Sequence, residues 1–123
     1  MYLYLASPYS HEDPEVVEFR YKTTEYCTAV LLRQGVAVYS PIVHCHHLAR
    51  AHGMPTDAEF WQKYNQRMLS PARKLIVLQL DGWSDSIGVR GEIDYARTHC
   101  KPILYRRLKE ILSHDYSVDD YML

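Results

Sequence analysis

Leu75 to Leu80, LIVLQL, is a run of six residues with one polar member, set between Arg73-Lys74 and Asp81-Gly82. Such a run is too short for a buried helix and suits a strand covered on both faces. Three shorter runs repeat the pattern: Tyr2 to Ala6 (YLYLA), ended by Ser7-Pro8; Val36 to Tyr39 (VAVY), closed by Ser40-Pro41; and Pro102 to Tyr105 (PILY). Helical segments separate them. Asp13-Pro14 supplies an N-cap and a proline at the first helical position, after which Val16, Phe19, Thr23, Cys27 and Val30 recur at three to four residues until Gly35. Asp57 to Leu69 and Ser86 to His99 predict two more helices, and Arg106 to Leu112 a last helical segment. Strands alternating with helices require crossovers and hence a parallel sheet. The expected fold is therefore α/β: a single-domain, doubly wound, Rossmann-like or flavodoxin-like sheet of four to five parallel strands flanked by helices.

A chain of 123 residues, 47% of them hydrophobic, can build one compact core and not two ordinary ones. The domain is expected over residues 1–113. The tail, 114–123, is expected to stay out of its own subunit's core and is a candidate to cover a neighbouring one. A formal net charge of -1 gives no field for polymeric nucleic acid, although Arg106, Arg107 and Lys109 form a local basic patch. The opening MYLYLASP is too short for a signal segment and lacks a basic leader, and nowhere do about 20 apolar residues run together, so no membrane partner is expected and the expected location is the cytoplasm. Three cysteines without CxxC spacing point to reduced thiols.

Open parallel sheets bind ligands beyond the carboxyl ends of their strands, where the amides of following helices point outward. Ser7 to Ser10, Ser40 to His47 and Asp81 to Glu92 follow the first three predicted strands and are expected to converge. If Ser86 caps a helix, the amides near Gly88 form an anion-binding terminus, Gly88 and Gly91 let a ligand approach the backbone, and Glu92 faces the same crevice. A carboxylate there suits an electron-poor carbon better than a phosphate, and an anomeric carbon is such a centre. Equally, Glu92 could only complement the helix dipole or pair with Arg90 or Arg97.

His44-Cys45-His46-His47 invites a zinc reading, but neighbouring residues on one segment cannot all face one ion and no second ligand cluster exists, so no metal is expected. His44 or His46 is instead expected to line the pocket as a base contact or proton donor. Trp83 could stack on a base or pack over the sheet edge. Phe60 and Trp61 suit core or dimer surface. Tyr9 stands just past the first strand, and Ser10 could serve only as a cap. No G-x-G-x-x-G, Walker loop or G-x-S-x-G occurs, which disfavours nicotinamide, triphosphate and serine-hydrolase chemistry. No cofactor is expected.

YLASPYS, the LQLDG strand end, and S-x-G-V-x-x-E followed by A-x-x-x-x-K-P (Ser86 to Glu92, then Ala96 to Pro102) resemble the nucleoside 2-deoxyribosyltransferase superfamily, including its nucleoside 5'-monophosphate N-glycosidase branch. The likeness covers about residues 2 to 105. It implies cleavage of an N-glycosidic bond, with Glu92 as nucleophile or stabiliser at C1' of the sugar, Tyr4 near the reacting centre, and Ser86 with the Ser7 to Ser10 loop on the sugar or its 5'-phosphate. It also implies a homodimer or larger assembly, with Phe60 or Trp61 on the packed faces. One position departs from the pattern: Asn65 stands where the superfamily carries an aspartate that helps protonate the departing base, and an amide cannot be a general acid. Asp57, Asp81 or a histidine could substitute. The alternative is a catalytically weak nucleotide-binding sensor of the same fold.

Overall fold

The computed structural model describes all residues, 1–123. Its order is β1 (Leu3–Ala6), α1 (Pro14–Gln34), β2 (Val38–Tyr39), α2 (Pro41–His52), α3 (Ala58–Leu69), β3 (Leu75–Leu78), α4 (Ile87–Thr98), β4 (Ile103–Arg106), α5 (Leu108–Leu112) and α6 (Val118–Met122), with a 3-10 turn over Trp83–Asp85. The four strands form one parallel sheet in the order β2-β1-β3-β4. From β1 the chain crosses outward to β2 and then returns past β1 to β3. The strand order therefore reverses between β1 and β3, the position where a crevice opens at the carboxyl ends.

Side chains alternate across each strand and divide the core in two. Leu3, Leu5, Ile76 and Leu78 face α1 through Cys27, Val30 and Leu31. Tyr4, Ala6, Leu75 and Val77 face α4 through Val89, Ile93 and Ala96, with Leu69 from the end of α3. Asp13 caps α1 by accepting from the Glu15 amide, and Gly35 ends that helix in the left-handed region at φ 96°.

Four sequence expectations need correction. The segment after the second strand, for which no helix is expected, is helical from Pro41: Ser40 accepts from the Val43 amide as N-cap, Pro41 occupies the first turn, and α2 follows. Strand β2 is accordingly only two residues long. Phe19 lies on the solvent face of α1 at 62% exposure, while its neighbour Arg20 is buried. The tail enters its own core. Helix α6 carries Tyr121, 1% exposed, against the α1 side of the sheet, and the Arg106 guanidinium lies 3.6 Å over the Tyr116 ring. The sequence hides this because the two aromatic anchors stand among Asp115, Asp119 and Asp120, the last of which reciprocates the Ser117 cap.

Candidate functional site

The reversal point holds a cavity of about 330 Å³. All three segments expected to converge reach it: Ser7, Tyr9 and Ser10 after β1; Pro41, Cys45 and His46 from α2; Asp85, Ser86, Gly88 and Glu92 after β3. Helix α3 closes the remaining side with Asp57, Trp61 and Asn65. Parallel strands end at one level, so loops from β1 and β3 meet there without a long excursion by either.

Arg20 sets the spacing of those loops. Its guanidinium donates to the Ser10 carbonyl at 2.9 Å and the Asp81 carbonyl at 3.0 Å, joining the segments after β1 and β3. The close approach requires Gly82, whose φ is 88° and where a Cβ would stand 2.6 Å from an Arg20 nitrogen. Below, Thr24 donates to the buried Ser7 hydroxyl at 3.1 Å.

Ser86 caps α4 by accepting from the Val89 amide. The amides of Ile87 and Gly88 precede the first intrahelical bond and have no partner within the helix, which leaves them to a ligand. One and a half turns on, Glu92 reaches the cavity floor. Its carboxylate accepts the hydroxyl of Tyr4, a core residue of β1. Burial pushes the Glu92 carboxyl up to about 7, and the Tyr4 bond pulls partly against that. Burial, reinforced by Glu92, pushes the Tyr4 hydroxyl well above its ordinary range, so Tyr4 stays a donor.

The opposite wall is a second polar pair. Tyr9 Oη lies 2.7 Å from His46 Nδ1, Tyr21 stacks on the imidazole at 3.7 Å between centroids, and Glu18 Oε2 is 3.8 Å from Nε2. Burial pushes His46 below its ordinary range. Asn65 also faces the cavity, and its buried Oδ1 has no hydrogen-bond partner. No Lys or Arg lines the cavity, whereas Asp57, Asp85 and Glu92 do.

Three expected site residues lie elsewhere. His44 is exposed on α2, stacked on Tyr64 with Nε2 3.2 Å from its hydroxyl. Asp81 contributes only its carbonyl, to Arg20. Trp83 packs against Tyr105 over the sheet edge and does not line the cavity. Conversely, Trp61 and Asp85 join the cavity without having been singled out for it. Trp61 has its indole N–H on the Pro55 carbonyl at 2.8 Å. Asp85 could have been suspected from its place one residue before the helix cap. The residues 44–47 spread around α2, with Cys45 and His46 buried and His44 and His47 exposed, and nowhere do three His, Cys, Asp or Glu side chains converge to hold a metal ion.

The profile of one family, described as a domain of unknown function (DUF1937), matches residues 1–107. The chain belongs to the DUF1937 family. That match ends just beyond β4, so the whole sheet and every cavity residue fall inside the DUF1937 region, while α5 and α6 follow it. Comparison with curated proteins gave no match for this DUF1937 chain. No helix in it is long and apolar enough to cross a membrane.

Proposed function

We propose that this DUF1937 domain cleaves or transfers the N-glycosidic bond of a nucleoside or its 5'-monophosphate through Glu92. The observation that carries the reading is the Tyr4–Glu92 pair: a half-buried carboxylate, held by one hydroxyl, beneath a cavity large enough for a base and sugar. In the ionised state its free oxygen meets an electron-deficient C1'. The C1'–N bond breaks with its electron pair going to the base, and the carboxylate stabilises the cation or forms a C1'–O bond. A proton reaches the base nitrogen from water. Water, or a second base, then takes the sugar and restores the carboxylate. The motif likeness described for Ser86 to Pro102 supports the same assignment.

A 5'-phosphate would find the Ile87 and Gly88 amides and the hydroxyls of Ser7, Ser10 and Ser86 but no cationic side chain, so free nucleosides are favoured over their 5'-monophosphates. Asn65 favours a second reading, a nucleotide-binding sensor, because an amide stands where the leaving base needs an acid. The functional unit in the first reading is a homodimer: Phe60, 49% exposed and packed on Trp61, and Ile87, 79% exposed at the cavity edge, are apolar surfaces beside the mouth. Incubating the protein with nucleosides and their 5'-monophosphates and separating the products by chromatography tests the reading. Free base formed by the natural chain and not by Glu92→Gln supports it; tight binding without base release supports the sensor.

A further inference from the structure

Tyr9 and His46 both line the cavity, and the hydrogen bond between them can run in either direction. The surroundings of the imidazole decide. Its Nε2 faces the Glu18 carboxylate at 3.8 Å, close enough for that charge to favour a proton on Nε2. Tyr21 covers one face of the ring, and Glu25, Arg50 and His47 complete the charged and titratable groups around it. Burial and Arg50 disfavour a second proton and outweigh the two carboxylates. With Nε2 protonated and the ring neutral, Nδ1 is bare and must accept. The Tyr9 proton is then committed to His46, and only oxygen lone pairs remain on the cavity side.

We infer that Tyr9, with its proton held by His46, is a specificity-determining acceptor that selects a nucleobase bearing an N–H donor, such as an exocyclic amino group. This rests on the nucleoside reading for the ligand but not for the direction of the hydrogen bond. Asp57 and Asp85 add acceptors to the wall, its donors being the Ile87 and Gly88 amides, the serine hydroxyls and Asn65; a keto oxygen placed against Tyr9 itself would meet lone pairs. Tyr9 is half-buried, and a ligand that covers its lone pairs without offering a donor takes their water and returns nothing, which a site rejects more strongly than a change of shape. His46 acts through Tyr9 and is a positioning residue. Tyr21 and Glu18 hold its ring and its tautomer.

Two measurements test this. Nitrogen-15 NMR of the imidazole ring reads the tautomer on the ligand-free protein at pH 8: His46 should show a protonated Nε2 and a bare Nδ1, and the opposite tautomer would overturn the inference. Calorimetry then compares adenosine with purine riboside, which lacks only the amino group. The natural chain should bind adenosine roughly tenfold more tightly. In Tyr9→Phe the two should bind within roughly threefold of each other. An unchanged preference in Tyr9→Phe, or a preference lost in 2'- or 3'-deoxyadenosine instead, would place the donor on another contact and overturn the assignment. If the natural chain binds neither nucleoside, the nucleoside reading falls and the ligand class with it, while the tautomer still decides what Tyr9 offers the cavity.

Discussion

Tyr4 on the central strand β1 donates its hydroxyl to Glu92 on helix α4, joining residues 88 positions apart at the floor of the cavity. A core tyrosine spends its one polar group on a carboxylate that burial would otherwise keep protonated. Glu92 is the partner that titrates, and Tyr4 keeps its proton and favours the ionised carboxylate.

Glu92→Gln should abolish base release and leave nucleoside affinity within roughly tenfold, because the charge acts on the transition state more than on the bound ground state. Product chromatography and calorimetry check both parts. In the natural chain, release should rise with pH around a midpoint near 7, where Glu92 becomes ionised.

The same group makes folding stability depend on pH. Between the ordinary value of 4.5 and about 7, the folded chain keeps a proton that the unfolded chain has released. Stability contributed by that proton is complete below 4.5, is lost as pH rises through the window, and levels off above it; the loss is of the order of 3 kcal/mol at most. Glu92→Gln cannot titrate there, so its denaturation midpoint should fall less than that of the natural chain between pH 5 and pH 8. Parallel curves for the two proteins would contradict the assigned burial.

Tyr4→Phe removes the bond that favours the ionised carboxylate. The Glu92 carboxyl should move further up, and the pH profile of base release should follow it. A profile at the natural midpoint with only a lower plateau would mean that the hydroxyl does not tune Glu92.

Tyr121→Ala should cost about 3 kcal/mol in urea denaturation, the scale for losing a fully buried aromatic ring, and should leave nucleoside affinity unchanged. Loss of affinity at unchanged stability would instead put the tail in a ligand site.

Light scattering at micromolar concentration should return a dimer, and Phe60→Ser combined with Ile87→Ser should shift it toward monomer. Both side chains are exposed apolar groups, so the changes need not disturb the core. A monomeric natural chain would remove the dimer from the proposal.

The sheet was legible because its strands are short apolar runs, and β3 in particular is buried at every position. Converging strand ends follow from the parallel order, so Ser7, Tyr9, Ser86, Gly88 and Glu92 could be expected together before any coordinate. Helix α2 was not legible. Ser40-Pro41 ends a strand and begins a helix with the same two residues, and the buried stripe of α2, Pro41, Cys45 and Ala49, is small and interrupted by histidines. Tyr121 was missed because the acids around it describe the solvent side of α6. Arg20 was missed because only tertiary structure supplies its partners: its two carbonyls sit 10 and 61 residues away along the chain.

That guanidinium makes no ion pair with a carboxylate; it is a buried cation satisfied by the two loop carbonyls. Drawing the loops apart would strand it, at a cost of the kind that follows the loss of partners to a buried charge. The rim of the cavity is thereby preorganised: a ligand entering between Ser10 and the start of α4 meets a gap of fixed width and does not have to order those loops as it binds.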